Sequence, residues 1–196
     1  MLFRSARGLS RRRQTAAAEL ARAVQRELRD LRLADAGLFE VRVDVGDVDM
    51  TGVDRVEFRL GEERRAMARV ASGGELARIA LALKTVLTRA ETRPTLIFDE
   101  VDVGVGGRTG PVVGQKLWSV AASGHQVLCV THMPQVAAFA DHHYVVSRSR
   151  GEVCVAEVSS EARLDELAAM LAGSVTPAAR QSAQELIDRS AAAKTR

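Results

Sequence analysis

Aromatic side chains are scarce: they make up 4% of the 196 residues, with one tryptophan and one tyrosine. Trp118 and Tyr144 stand isolated in the sequence, so no platform for stacking nucleic-acid bases is visible. Cysteine is as rare, and both residues, Cys129 and Cys154, sit inside apolar runs. That setting predicts buried free thiols and argues against a disulfide framework or a cysteine metal site. No apolar run approaches the roughly 18 residues of a membrane-spanning helix, and the basic start Met1-Leu2-Phe3-Arg4 lacks the apolar stretch of a secretory signal. Together these absences predict a cytoplasmic protein with no membrane partner. Also missing is any Gly-x-x-x-x-Gly-Lys-Ser/Thr loop; Gly114-Gln115-Lys116 is followed by Leu117 inside a predicted helix. The chain has no loop of its own to grip a β-phosphate.

The composition is 46% hydrophobic and 27% charged, ordinary for one globular domain with an appendage. The net charge of +3 hides an asymmetry. Residues 1–33 hold nine arginines against three acids, an excess of six, so the rest of the chain carries a net charge of −3. Within that basic segment Leu20, Val24, Leu28 and Leu31 recur at helical spacing, predicting an amphipathic helix from about Gln14 to Leu33, with Gly8 and Ser10 breaking the pattern before it. The triplet Arg11-Arg12-Arg13 fits either a DNA contact or a solvated helix end.

After Gly37 the period changes to two. Phe39, Val41, Val43 and Val45 alternate with charged residues, as do Val56, Phe58 and Leu60, which predicts two strands paired antiparallel about a turn between Gly46 and Gly52. A polar loop, Gly61 to Arg65, leads to Ala71-Ser72-Gly73-Gly74-Glu75-Leu76, where two glycines open an apolar helical pattern through Ile79, Leu83 and Val86. Adjacent glycines let a backbone approach an anion closely, and the free N–H groups of a helix start supply partial positive charge. The same letters fit a capping box, with Ser72 as cap and Glu75 as its partner.

Thr95-Leu96-Ile97-Phe98 is an apolar strand without alternation, predicted to be buried on both faces in a parallel sheet. It ends in Asp99-Glu100. Two such carboxylates can hold a metal-bound water and orient a nucleophilic water, or simply cap the strand at a loop. A glycine-rich loop, Val101 to Arg108, precedes a helix that Pro111 starts and Ser123-Gly124 stops. A second apolar strand, Gln126 to Val130, then delivers Thr131-His132. Strand, helix, strand predicts a parallel βαβ unit, which brings Asp99, Glu100 and His132 to one sheet edge. Farther on, His143–Val146 and Val153–Val158 predict a hairpin, two packing helices follow around Leu164–Leu171 and Ala178–Ile187, and residues 190–196 read as a frayed tail. The pair His142-His143 has no third ligand at a sensible spacing for a metal.

The order ASGGE, IFDEVDVGVGG, VTHMPQ resembles the second half of an ABC-type ATPase head, with its signature motif, Walker B acids, D-loop and switch histidine. Among these ATPases the wording VASGGELARIALALK, FDEVDVGVGG and THMPQVAAFADHHYVV is similar to the SMC-like bacterial DNA repair ATPases, over about Leu9 to Ile187. The glycine-rich D-loop is unlike that of transporter subunits and of SMC proteins.

The resemblance implies an α/β fold: the C-terminal lobe of an ABC-type P-loop ATPase head, a mostly parallel sheet flanked by helices plus antiparallel strands. Residues 1–33 would be the end of a coiled-coil arm, 34–190 the C-terminal half of the head and 191–196 the tail. ATP and Mg²⁺ would be the cofactors. Asp99 would act on Mg²⁺ through water, Glu100 would orient the attacking water and His132 would sense the γ-phosphate. Ser72, Gly73, Gly74 and Glu75 would bind the nucleotide of an opposing head, and Asp102 would cross the dimer interface. Ala71 replaces a leucine common in the family, implying a small packing difference.

The implied partners are an N-terminal head half carrying the P-loop, a second head in a homodimer, and double-stranded DNA or DNA ends. Without the P-loop half the chain alone would not hydrolyse ATP. The implied function is ATP-dependent repair of DNA double-strand breaks. A non-catalytic dimerisation and DNA-tethering module, or the head of another SMC-like ATPase, are the alternatives.

Overall fold

The computed structural model describes residues 2–33, 38–61, 65–66, 73–88, 95–149 and 151–195. They group into two compact units, Met1–Glu91 and Thr92–Arg196. The first helix falls in the same unit as the strands and helix that follow it.

In the first unit, helix α1 (Leu2–Asp30) buries Ala17, Val24 and Leu28, with Leu31 and Leu33 just beyond its end. Their spacing keeps them on one face. The helix runs straight through Gly8 and Ser10, where the sequence pattern predicts a break. Tertiary contacts explain the difference: buried Ser10 donates its hydroxyl to Asp54 Oδ1 at 2.6 Å, and Arg13 donates to Asp54 Oδ2 at 3.2 Å and to the Thr51 carbonyl at 2.8 Å. These bonds compensate the poor helix propensity of Gly8 and Ser10. Arg11 and Arg12 are exposed. The chain leaves the helix through Arg32, at φ 54°, and the Leu33 N–H returns to the Leu28 carbonyl at 2.8 Å.

Strands β1 (Glu40–Asp49) and β2 (Gly52–Leu60) form the predicted antiparallel hairpin, and a short β3 (Arg65–Ala66) pairs with β2. Period-two alternation sorts the two faces. One carries the register pairs Val41–Phe58 and Val43–Val56; the other sets Glu40 against Arg59, Arg42 against Glu57 and Asp44 against Arg55, opposite charges each time. The Phe39 and Phe58 rings stack with centroids 5.8 Å apart, and the Phe39 N–H donates to Gln25 Oε1 of α1 at 2.7 Å. Helix α2 (Gly73–Leu87) completes the unit and buries Ile79, Leu81 and Ala82.

In the second unit β4 (Thr95–Phe98) and β5 (Gln126–Cys129) are parallel and in register from Thr95–Gln126 to Phe98–Cys129, joined by α3 (Gly110–Ala122). The predicted βαβ unit is present, with Pro111 in the first turn of α3 and Ser123 at its end. Burial on both faces is not. Leu96 and Phe98 are buried, but Ile97, Leu128 and Val130 are 70%, 48% and 64% exposed, because nothing among the described residues covers their face of this two-stranded sheet.

Helix α3 meets the segment after β5 through glycines one turn apart. A Cβ on Gly114 would lie 2.5 Å from the Phe139 ring, and one on Gly110 would lie 2.9 Å from Gln135 Cβ and Met133 Cε. Only the bare backbone lets residues 133–139, including the short helix α4 (Pro134–Ala137), pack this close.

Strands β6 (His143–Ser149) and β7 (Glu152–Val158) form the expected hairpin, a little longer than the sequence suggests. Helices α5 (Ser160–Ala172) and α6 (Pro177–Lys194) share a core of Leu167, Ala168, Ala179 and Ala183 with Ala137 of α4. Thr176 caps α6 by accepting the Ala179 N–H at 3.1 Å. Neither cysteine matches its expected burial: Cys129 is half-buried on β5, and Cys154 is exposed because β7 is exposed from Glu152 to Glu157. The expected fraying after residue 189 is absent through Lys194. Ser190 is buried and donates to the Ala138 carbonyl at 2.9 Å, while Lys194 meets Asp141 at 2.6 Å and lies 5.8 Å from the centre of the Trp118 ring.

Candidate active site

The carboxyl end of β4 carries the acidic pair. Asp99 and Glu100 are both exposed, and the Glu100 N–H donates to Asp99 Oδ1 at 2.9 Å. Glu100 has φ 58°, the left-handed region that a non-glycine residue rarely occupies. Such strain persists where surrounding contacts over-determine it. Here the Glu100 carbonyl accepts the Val103 N–H at 3.1 Å, and Val101 between them is fully buried. The turn is clamped from both sides of the acid.

The loop after β5 arrives at the same edge, since Phe98 and Cys129 are register partners and the Val130 N–H continues the ladder to the Phe98 carbonyl at 3.0 Å. The Asp102 side chain there is 2% exposed and makes its contacts within its own chain. Asp102 Oδ2 accepts the Thr131 hydroxyl proton and the His132 backbone N–H, the latter at 3.0 Å, and lies 3.2 Å from His132 Nδ1. Thr131 Oγ1 in turn accepts the Met133 N–H at 3.0 Å. The His132 ring remains 73% exposed. Sequence reasoning missed Thr131 as a linking group; an acid flanked by valines, in Val101-Asp102-Val103, was the one signal that Asp102 faces inward.

Asp99, Glu100, Asp102 and His132 are thus brought together at one sheet edge of the second unit. Gly73, Gly74 and Glu75 lie in the first unit, at the start of α2, with Gly73 exposed and Gly74 buried. Ser72 and Ala71 fall outside the described residues. His142, the other histidine with a carboxylate, approaches Glu157 Oε1 through Nδ1 at 2.7 Å.

Asp99 offers an exposed carboxylate oxygen, a hard donor of the kind Mg²⁺ takes one or two of alongside water and phosphate oxygens. Nearby, burial pushes the Cys129 thiol up to about 12, and the negative charges of Asp102 and Asp99 add to the shift. A raised pKa leaves little thiolate at neutral pH, which makes Cys129 a poor nucleophile.

No family model matches the chain. It is 39% identical to the DNA repair protein RecN of Haemophilus influenzae over 194 residues, covering 94% of this chain and 35% of that protein. It is 35% identical to the DNA repair protein RecN of Bacillus subtilis, covering 97% of this chain and 37% of the relative. The chain thus spans about a third of the length of these curated relatives. Among solved structures, the Smc head domain with a coiled coil and joint derived from Pyrococcus yayanosii superposes with a TM-score of 0.54 at 22% identity, over 79% of this chain and 29% of that one. The fold is that of part of an Smc head domain. No helix among the described residues is long and apolar enough to cross a membrane.

Proposed function

The chain belongs to the RecN family of DNA repair proteins, matching a C-terminal fragment of its members, and from that premise we propose that it supplies half of an ATPase head that works in DNA double-strand break repair. The observation that carries this reading is the convergence at one sheet edge of Asp99 and Glu100 after β4 with His132 after β5. Ligands of open α/β sheets bind outside the carboxyl ends of the strands, which is where these groups sit.

In this reading Glu100 accepts a hydrogen bond from the water that attacks the γ-phosphorus, orienting it as the bond to the ADP oxygen breaks. The exposed His132 imidazole contacts a γ-phosphate oxygen. Asp99 would hold Mg²⁺ through a water, and the ion would offset charge on the phosphate oxygens. Gly73, Gly74 and the α2 N–H groups, with Ser72 and Glu75, bind the γ-phosphate of a nucleotide held by a second head. Loss of that phosphate then releases the two heads, and the cycle serves to hold or join DNA ends in the cytoplasm.

A P-loop must come from an N-terminal head half. The uncovered faces of the second unit suit such a partner: Ile97, Leu128 and Val130 on β4 and β5, and Tyr144, Val146, Val153 and Val155 on one face of the β6–β7 hairpin, are exposed apolar groups.

The test is ATP turnover by this chain alone and mixed with a P-loop-bearing N-terminal half of a RecN protein, with and without double-stranded DNA ends. Turnover only in the mixture supports a composite head. Turnover by the chain alone, or none in a correctly assembled mixture, sinks the reading.

A further inference from the structure

A buried carboxylate needs hydrogen-bond partners to offset its desolvation. Asp102 finds two on the far strand's loop, the Thr131 hydroxyl and the His132 N–H at 3.0 Å, and the carboxylate also lies 3.2 Å from Nδ1 of the His132 ring. The loop after β4 and the loop after β5 are thereby joined through a single side chain at the edge of the sheet. On its own side Asp102 lies inside the turn closed by the Val103 N–H and the Glu100 carbonyl, and its own carbonyl accepts the Val105 N–H at 3.0 Å. That turn also holds Glu100 at φ 58°.

We propose that Asp102 is the positioning residue for His132: its carboxylate fixes the loop that carries the histidine, keeps the ring proton on Nδ1, and ties the placement of His132 to that of Glu100. A carboxylate beside Nδ1 favours the tautomer that carries a proton there, and the second ring nitrogen then faces outward. Nε2 offers a lone pair when the ring is neutral and an N–H when it is cationic. Asp102 acts through His132 and touches no substrate. The inference rests on the proposed role of His132 only for its effect on turnover; the tautomer is a property of this chain alone.

Two measurements test it. Long-range ¹⁵N–¹H correlation spectra of this chain at alkaline pH, with His132 assigned by loss of its signals in H132Q, should show the proton on Nδ1 in the wild type. Asp102→Asn keeps an acceptor for Thr131 and the backbone but loses the charge, and should shift the ring toward the Nε2-protonated form. A wild-type ring protonated on Nε2, or ring signals unchanged in D102N, overturns the proposal, and the wild-type spectrum decides even if the variant fails to fold.

In the assembled ATPase, D102N and H132A should each lower kcat by roughly tenfold or more, with the double variant no worse than the poorer single one. Independent, multiplying losses overturn the link between the two residues. Should the wild-type assembly turn over no ATP, the functional reading fails while the spectra still decide the positioning.

Discussion

The Glu100 N–H donates to the carboxylate of Asp99, its own neighbour, at 2.9 Å, so the two acids that end β4 are held by a bond between them and by a left-handed backbone at Glu100. The contact uses the Glu100 backbone and leaves its carboxylate free to act on a water. Glu100→Gln preserves that backbone and the side-chain length. In an assembled head it is expected to lower turnover by roughly 10²–10⁴-fold, the usual worth of a general base, while stability stays within about 0.5 kcal/mol because the side chain is exposed. Phosphate release and a urea melt on the same preparation check both halves; unchanged turnover removes Glu100 from the mechanism.

Asp54 ties α1 to the first hairpin, with its side chain fully buried beneath Ser10 and Arg13. Asp54→Ala strands the buried Ser10 hydroxyl and removes one of the two partners of Arg13, and should cost about 1–3 kcal/mol in urea unfolding. Asp54→Asn keeps one acceptor and should cost less. Equal losses for the two variants would mean that shape and not hydrogen bonding holds the helix there.

Much of this was legible in the letters because local pattern and global fold agree. Alternation at Val41, Val43, Val56 and Phe58 fixed both the first hairpin and its apolar face, and Pro111 and Ser123-Gly124 marked the ends of α3. The expectations that failed depended on distant neighbours. Gly8 and Ser10 read as helix breakers until Asp54, more than forty residues away, supplies partners. Ile97 reads as core because composition cannot say whether a covering layer is present. At the site, chain order alone placed Asp99, Glu100 and His132 on one edge. The inward turn of Asp102 was signalled only by its flanking valines, since its partner Thr131 lies twenty-nine residues downstream.

The two cysteines give opposite environments in one chain. Cys154 is exposed and should react with a thiol-directed disulfide reagent at once, whereas the half-buried Cys129, pushed from 9.0 to about 12 chiefly by burial, should react more slowly in the native chain. A raised folded-state pKa for an acid means that the folded chain holds its proton longer than the unfolded one. The resulting stabilisation is complete below about pH 9 and is lost between pH 9 and about 12. Replacing Cys129 with serine should flatten that alkaline decline. Two thiols labelled at the same rate in the native chain would contradict the burial.

The end of α6 is held at three points, and each has a different worth. Ser190 is buried and donates to the Ala138 carbonyl, which also accepts from Arg163 at 3.0 Å. Ser190→Ala therefore leaves that acceptor satisfied, and the loss should be about 1 kcal/mol, the net value of one bond, without the full penalty of a stranded group. The Lys194–Asp141 pair has an exposed carboxylate, so Lys194→Ala should change stability by less than about 1 kcal/mol. It should still be visible, because the ammonium lies over Trp118, the single tryptophan of the chain, and its removal changes the field and hydration at the only indole. An emission shift in K194A with a nearly unchanged melting temperature is the expected pair of results. An unaltered spectrum would place the lysine off the ring in solution, and a Ser190→Ala chain as stable as the wild type would return the last turns of α6 to a frayed state.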